Sequence, residues 1–129
     1  MKIGEVARAA EIGIDAIRFY ERRGLIEEPA RRPSGYRVYA PEVVPSLRFI
    51  KRAKELGFSL KEISELLSLE RSSGASAAGV RKLAEEKLAD LENKIRALQR
   101  MRRALRKVTE ACSGRGPTSE CSILRSLAK

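Results

Sequence analysis

The most informative stretch of the chain is Asp15–Gly24, DAIRFYERRG, because it predicts a short helix with two different faces over Asp15–Arg23. Ile17 and the aromatic pair Phe19–Tyr20 supply bulk for packing, while the arginines of the same stretch stay available to solvent or to phosphate. Gly24 is expected to end the helix, since glycine adopts the backbone conformation that commonly follows a last helical turn. The stretch therefore predicts a short cationic helix that packs on one side only.

A second short helix is predicted just before it, over Lys2–Ala10, where apolar residues recur at helical spacing. A break at Glu11–Gly13 separates the two helices. Two short helices joined by a tight turn that contains glycine are typical of a helix-turn-helix. The N-terminal segment therefore predicts this motif.

A hairpin is predicted directly after these helices. Pro33–Gly35 has the residue types of a tight turn, and Tyr36–Tyr39 alternates as a strand does. The segment is rich in arginine and tyrosine, so its tip is suited to lie along a phosphate backbone. A hairpin in this position after a helix-turn-helix is called a wing.

Two further helices are predicted after the wing. The first covers Glu42–Leu56 and carries an apolar face. The second runs through about Leu69 and begins with a capping-box pattern, in which Ser59 is followed three residues later by Glu62. A polar stretch then marks a boundary, so residues 1–75 are predicted to form one winged helix-turn-helix domain.

Residues 76–111 are predicted to form one long dimerisation helix. No proline interrupts the helical pattern, and about 30 residues of helix reach about 45 Å. One side is an apolar stripe too long to be buried against the small N-terminal domain, so we expect a coiled coil with a second copy, parallel or antiparallel. The alternative is a lone helix that folds back on its own domain. The stripe consists of Ala84, Leu88, Leu91, Ile95, Leu98, Met101, Leu105 and Val108.

The charge of the chain predicts a polyanionic partner. Its 129 residues contain 27 Lys+Arg against 17 Asp+Glu and no His, a formal net charge of +10. Nucleic acid is the first candidate and an anionic membrane surface the second, although such charge can also simply keep a helical protein soluble. The chain shows neither the pattern of a secretory signal nor a run of apolar residues that could span a membrane. We therefore expect a cytoplasmic protein without a membrane partner.

Two cysteines follow the long helix, Cys112 at its expected end and Cys121 nine positions later. Without an export signal they are expected to be reduced thiols. The loop between them contains two glycines and a proline, so it can fold back and bring both thiolates onto one ion. Soft thiolate ligands favour Cu(I), Ag(I), Au(I), Hg(II), Cd(II), Pb(II) or Zn(II). Residues 112–129 are thus predicted to form a metal-binding loop and a short helix; cysteines that only fill apolar spaces are the alternative.

Five stretches together carry a family resemblance, namely Ile17–Glu21, Gly24–Ile26, Ser34–Tyr39, Arg48–Ile50 and Leu56–Ile63. In these stretches, and along its whole length, the chain resembles the MerR family of transcription regulators. Its long helix, ending in a Cys-x8-Cys motif, is similar to the heavy-metal-sensing branch rather than to the drug-binding or oxidative-stress branches.

The resemblance implies a mainly α-helical fold, a winged helix-turn-helix followed by long helices that pair in an antiparallel coiled coil. It also implies a homodimer that binds a palindromic site in double-stranded promoter DNA, in an overlong spacer between promoter elements. Binding of the effector then bends and untwists the spacer so that RNA polymerase engages both elements. Phosphate contacts on both flanks offset the deformation energy of a few kcal/mol.

The family's DNA contacts correspond here to Arg18 and Tyr20 in the second helix and to Tyr36 and Arg37 in the wing. The residue types agree with that role, because arginine offers a planar fork to guanine or phosphate and tyrosine offers a hydroxyl and a flat face. Asp15 departs from the neutral or basic residue frequent in relatives and is expected to cap the helix. For Tyr20 the alternative is a core aromatic, and for Arg37 an ordinary solvated side chain.

The resemblance also bears on the ion. In relatives that sense divalent ions, a third cysteine comes from the start of the partner's long helix; the corresponding residue here is Ala77, and copper-sensing relatives have a serine there. Without a third thiolate or a histidine, a tetrahedral zinc site lacks ligands, whereas two thiolates suit linear Cu(I), Ag(I), Au(I) or Hg(II). The eight-residue loop is instead more similar to those of mercury, lead and zinc sensors, so Pb(II), Cd(II) and Zn(II) stay open.

Two other functions are alternatives to a metal-responsive regulator. One is an architectural or drug-responsive DNA-binding protein in which the cysteines are incidental; drug-binding relatives carry a further C-terminal ligand domain, and none is expected here. The other is an enzyme such as a thiol oxidoreductase. An enzyme is not expected, because neither a C-x-x-C motif nor a cysteine with a histidine base is present.

Overall fold

The computed structural model describes residues 1–31, 33, 35–72, 74 and 76–129. The chain is mainly α-helical, as predicted, and divides into two compact units, Met1–Ala84 and Glu85–Lys129. The elements are α1 (Ile3–Ala10), α2 (Ile14–Arg22), β1 (Ala30–Arg31), β2 (Arg37–Val38), α3 (Val43–Glu55), α4 (Leu60–Arg71), α5 (Ala77–Ala111), a 3-10 turn (Thr118–Glu120) and α6 (Ser122–Leu127).

The helix-turn-helix is formed by α1 and α2, which pack through the buried side chains of Val6, Ala10, Ile17 and Tyr20. The turn between them places Glu11 in the left-handed region, with φ of 58°. The predicted motif is therefore confirmed. The expectation that Asp15 caps α2 is wrong, because the helix begins one residue earlier and its N-cap is Gly13. Asp15 instead lies in the first turn, where a carboxylate is favoured by the helix dipole.

The wing is a two-stranded antiparallel hairpin in which Ala30 pairs with Val38 and Arg31 pairs with Arg37. Its base is held by Tyr39, whose N–H donates to the Met1 carbonyl at 2.7 Å while its carbonyl accepts from the Met1 ammonium at 2.9 Å. The predicted hairpin is confirmed. The predicted turn at 33–35 includes position 34, which, like position 32, lies outside the described residues.

Helix α3 forms the centre of the N-terminal core because the side chains at its predicted apolar face are buried. Helix α4 adds a second layer and begins with the predicted capping box: Glu62 N–H donates to Ser59 Oγ at 3.2 Å, and Ser59 N–H donates to Glu62 Oε1 at 2.8 Å. The largest fully buried side chains of the core are Tyr39, Ile17, Leu47, Ile50, Ile63 and Val6.

The division between the two units falls inside α5, whereas the sequence predicted a boundary after residue 75 and a second one after residue 111. The first turns of α5 lie against α4: a methyl group on Gly79 would be 3.5 Å from Leu69 Cδ2. This packing explains why the start of the long helix clusters with the N-terminal unit. The functional division into 1–75, 76–111 and 112–129 stays a prediction.

The C-terminal unit exposes the apolar stripe of α5. Five stripe side chains of this unit are between 52% and 64% exposed, and they lie at intervals of three, four or seven residues along one face of the helix. Among the described residues, no helix is long and apolar enough to cross a membrane. The exposed stripe residues are Leu88, Ile95, Leu98, Met101 and Leu105.

Candidate nucleic-acid interface and metal site

Helix α2 presents arginines on one face and packs its aromatic residues on the other. Arg18, Arg22 and Arg23 are exposed, as predicted. Tyr20, in contrast, is only 7% exposed and belongs to the core, with its ring centroid 5.8 Å from that of Phe19. Tyr20 is thus first of all a packing residue. That it also contacts DNA stays a prediction, and such a contact would involve the small part of the side chain that is exposed.

The wing presents the two other predicted DNA-binding residues. Tyr36 is exposed, and Lys2 Nζ lies 5.6 Å from the centroid of its ring. Arg37 is 42% exposed, but its Nη1 is engaged within the protein, because it donates to the Glu21 carboxylate at 3.1 Å to Oε2 and 3.5 Å to Oε1. Arg37 is therefore a held side chain at the surface rather than an ordinary solvated one.

Glu21 accepts from a second donor, the Tyr39 hydroxyl, at 3.3 Å. Burial raises the pKa of Tyr39, and the nearby negative charge of Glu21 raises it further. Glu21 and Tyr39 were part of the stretches that carry the family resemblance, yet sequence analysis assigned neither a role. Glu21 contacts residues that are 16 and 18 positions away in sequence, and the periodicity of a sequence does not indicate contacts over such separations.

Two cations of α3 have a structural role. Arg48 Nη2 donates to the Ala9 carbonyl at 2.8 Å, and Lys51 Nζ donates to the Glu11 carbonyl at 3.0 Å. Cations are favourable at a helix C-terminus because the last carbonyls lack partners within the helix. These two side chains therefore fasten α3 to the end of α1, and much of the charge of α3 is used in this way.

The two cysteines lie close together. Cys112 follows the last residue of α5, Cys121 directly precedes α6, and their sulfur atoms are 3.8 Å apart. The loop can turn back because Gly114 and Gly116 adopt positive φ angles, of 73° and 85°. Both thiols are free and partly buried.

The environment of Cys121 favours the thiolate. The backbone N–H of Leu124, at the start of α6, lowers the pKa of Cys121 most strongly, and Cys112 and the N–H of Ile123 lower it further, against an opposing effect of burial. The thiolate is the form that binds metals. The adjacent Ser122 Oγ is buried, and among the described residues it has no hydrogen-bond partner.

The two cysteines have no larger cluster of metal-binding side chains around them in the described part of the chain. The described residues contain no group of three or more His, Cys, Asp or Glu side chains that could hold a metal ion. Ala77, where divalent-sensing relatives are expected to have a cysteine, is the first residue of α5 and carries only a methyl group. Sulfur ligands of this kind favour soft, thiophilic ions.

Comparison with known families decides the relationship. The family model described as MerR HTH family regulatory protein matches residues 1–70, and the one described as MerR, DNA binding matches residues 44–108. The chain belongs to the MerR family. Its members are DNA-binding transcription regulators, so the expectation that the chain is not an enzyme is confirmed.

Curated relatives of this MerR-family chain include regulatory proteins of several bacteria. The HTH-type transcriptional regulator HmrR of Sinorhizobium medicae is 41% identical, over 100% of this chain and 87% of its own length. A mercuric resistance operon regulatory protein of Bacillus cereus is 39% identical, over 99% and 97%. ZntR of Escherichia coli K12 is 38% identical, over 98% and 91%.

Two solved structures are similar over nearly the whole MerR-family chain. The transcription regulator PbrR691 from Ralstonia metallidurans CH34, in complex with lead(II), has a TM-score of 0.89 and 32% identity, with 98% of each chain covered. MerR from Bacillus megaterium MB1, in complex with mercury(II), has a TM-score of 0.75 and 35% identity, with 100% of each chain covered. The predicted mainly helical fold, with an N-terminal winged helix-turn-helix and a long helix after it, is therefore confirmed.

Proposed function

We propose that this MerR-family protein is a homodimeric transcription activator that binds a thiophilic metal ion through Cys112 and Cys121. The observation that carries the proposal is the pair of sulfurs 3.8 Å apart at the end of the long helix α5. Relatives named for mercury resistance, and similar structures that hold lead(II) or mercury(II), support the metal response. A regulator of promoters acts beside the chromosome, in the cytoplasm of a bacterium.

Promoter DNA is the partner proposed for the N-terminal unit. The exposed face of α2 supplies Arg18, and the wing supplies Tyr36 and Arg37. A recognition helix in the major groove and a wing along the backbone divide base reading from phosphate contact. The net charge of +10 adds long-range attraction to the duplex.

A second copy of the chain is the partner proposed for α5. The 35 residues of this helix span about 52 Å, and its apolar stripe is exposed in a single chain. Fully burying an exposed leucine, isoleucine or methionine side chain contributes about 1.5–3 kcal/mol. The five stripe side chains are just over half exposed, so each contributes part of this, and ten of them from two copies still provide a large driving force. An antiparallel pair then gives a two-fold symmetric dimer suited to a palindromic site.

The ion that we propose belongs to the Cu(I) group, with Ag(I) and Au(I), or is Hg(II). The number of donors favours two-coordinate ions, because no third ligand stands beside the two sulfurs among the described residues. The spacing demands a small movement: a linear ion with bonds of about 2.3 Å needs sulfurs about 4.6 Å apart, about 0.8 Å more than the present separation. The present spacing suits a bent or tetrahedral ion, so Pb(II), Cd(II) and Zn(II) are the alternative.

The coupling that we propose follows from the position of the cysteines. Both ligands flank the loop between α5 and α6, so an ion that joins them fixes the loop at the end of the dimerisation helix. Fixing the loop shifts the dimer toward the form that bends and untwists promoter DNA, at a cost of a few kcal/mol offset by phosphate contacts. RNA polymerase then engages both promoter elements.

A comparison of metal ions under strictly reducing conditions tests which ion activates transcription. Promoter activation by the purified protein and RNA polymerase is measured with Cu(I), Ag(I), Hg(II), Pb(II) or Zn(II), each buffered at equal free concentrations. We expect activation at the lowest free concentration with Cu(I), Ag(I) or Hg(II). Strongest activation by Pb(II) or Zn(II) would establish the alternative ion class, and activation by none would reject the metal response.

Replacing Arg37 by alanine is expected to weaken promoter binding by about 1–3 kcal/mol, because it removes a cation that the wing presents to the duplex. The measurement is a titration of labelled promoter DNA at moderate salt. Arg52→Ala is the matched control, since it removes the same charge from an exposed position of α3. Equal effects of the two substitutions would reduce Arg37 to a general contribution of charge.

A further inference from the structure

Glu21 is a buried carboxylate between the recognition helix and the wing. It lies in the last turn of α2, and its side chain is only 8% exposed. Its oxygens accept from Arg37 on β2 and from Tyr39 just beyond that strand. The carboxylate thus joins an element that enters DNA to an element that lies along it, through residues that are distant in sequence.

A buried charge is costly unless it is paired, and removing one partner leaves the other uncompensated. Glu21 Oε2 accepts from both the Arg37 guanidinium and the Tyr39 hydroxyl, so the positions of all three side chains depend on one another. The raised pKa of Tyr39 keeps its hydroxyl protonated and available as a donor. Glu21 therefore fixes how the wing stands against α2.

Glu21 and Arg37 also line a cleft of about 170 Å³ between α2 and the wing. Arg22 and Arg31 border this cleft together with Arg37, while Glu28 contributes a second carboxylate. The cleft brings cations of the helix and of the wing to one surface. Among the described residues, Arg37 donates to Glu21 through Nη1 alone. Its other N–H groups can therefore donate to an anion.

The geometry points to Glu21 as a positioning residue for DNA binding: it holds Arg37 so that the wing and α2 present their cations to the phosphate backbone as one surface. This inference rests on the proposed function, since it concerns how the same DNA interface is built. The predicted effect of Glu21 on DNA affinity is the opposite of what its charge alone suggests, because a carboxylate near a polyanion is otherwise expected to weaken binding. Removing Glu21 should therefore lower the affinity for DNA although the net charge of the protein rises.

The substitution Glu21→Gln, compared with Glu28→Gln, tests whether the Glu21 carboxylate raises DNA affinity. Both remove one negative charge from the same cleft, but within the described part of the chain it is Glu21, and not Glu28, that accepts hydrogen bonds from Arg37. We expect Glu21→Gln to lower promoter affinity by about 5- to 30-fold and to reduce the salt slope by about one phosphate contact. Glu28→Gln should leave affinity unchanged or raise it slightly. Equal or tighter binding by a folded Glu21→Gln protein would overturn the inference.

A double-mutant cycle separates positioning from a general loss of structure. In an Arg37→Ala background, Glu21→Gln should have little effect or improve binding, because the side chain that it holds is gone. A full and additive loss in that background would overturn the inference.

If Glu21→Gln does not fold, Tyr39→Phe replaces it. This change keeps every charge, removes one donor to Glu21 and should lower the affinity for promoter DNA about 2- to 5-fold. Unchanged affinity would overturn the inference.

The wild-type protein distinguishes this inference from the proposed function. If the wild type does not bind promoter DNA more tightly than random DNA at any salt concentration, the proposed function fails and Glu21 has no interface to position. If the wild type binds its promoter and Glu21→Gln binds as well, only the role of Glu21 fails.

Discussion

Replacing Cys112 by serine is expected to abolish metal-induced transcription while leaving operator affinity within about twofold of the wild type. The two sulfurs 3.8 Å apart supply the soft ligands, and a serine oxygen is a poor substitute for a thiolate toward a soft ion. Loss of an outer partner of a metal ligand already costs about 10- to 100-fold in affinity, so loss of a ligand should cost more than about 100-fold. Run-off transcription over a metal titration measures the first effect, and operator titration the second.

The matched control for this experiment is Ser119→Ala, a change at an exposed position of the same loop. It should leave both the metal response and operator binding unchanged. If Cys112→Ser instead abolished operator binding without metal, Cys112 would be a structural residue and the cysteine pair would not be a sensor. Cys121→Ser should reproduce the phenotype of Cys112→Ser, because neither sulfur alone forms the site.

Replacing Leu98 by aspartate is expected to convert the dimer into monomers and to weaken operator binding by more than about 100-fold. Leu98 lies in the middle of the exposed stripe of α5 and is expected to face its partner. Two unpaired carboxylates in an apolar interface each cost several kcal/mol, and a monomer contacts only half of a palindromic site. Analytical ultracentrifugation measures the oligomeric state, and operator titration measures the affinity.

Gln99→Asp is the control for the stripe, since it introduces the same charge one residue later. Gln99 is exposed and lies about 100° around the helix from Leu98, outside the stripe. The Gln99→Asp protein should stay dimeric and bind its operator as the wild type does. A Leu98→Asp protein that stays dimeric would show that the copies associate through another surface.

Local patterns were sufficient for much of the fold. The long helix was predicted over residues 76–111 and runs from Ala77 to Ala111. Its ends could be predicted because a polar, small-residue stretch precedes it and a loop with glycine and proline follows it. The start of α4 was equally clear, since Ser59 and Glu62 satisfy each other's backbone groups over three residues. In each case the residues that determine the structure are neighbours in sequence.

Properties that depend on distant partners could not be predicted from the same patterns. Tyr20 was assigned to DNA from the family resemblance, with a core aromatic as the alternative, and only the packing of α2 against the core shows how little of it is exposed. The contacts of Arg48 with α1 and of Glu21 with the wing join residues 39 and 16 positions apart. Periodicity indicates which side of a helix is polar, but not which polar group it meets.

The distance between the two sulfurs could be predicted only in part. Glycines in the loop predict that it can turn back, yet they do not determine how far apart Cys112 and Cys121 stop. The choice of ion depends on that distance and on the number of further ligands, so neither the sequence pattern nor the family resemblance was sufficient to select it. At a sulfur–sulfur distance of 3.8 Å, the choice of ion depends on how far the loop opens when it binds.

The central claim is that an ion bound by the two cysteines changes the shape of promoter DNA that is already bound. A fluorescent base analogue in the promoter spacer reports this change directly when Cu(I) or Hg(II) is titrated into the protein–DNA complex. The account predicts a change in fluorescence that saturates at one ion per cysteine pair, without dissociation of the protein, and no change with the Cys112→Ser protein. A wild-type complex that takes up the ion and leaves the spacer signal unaltered would contradict it.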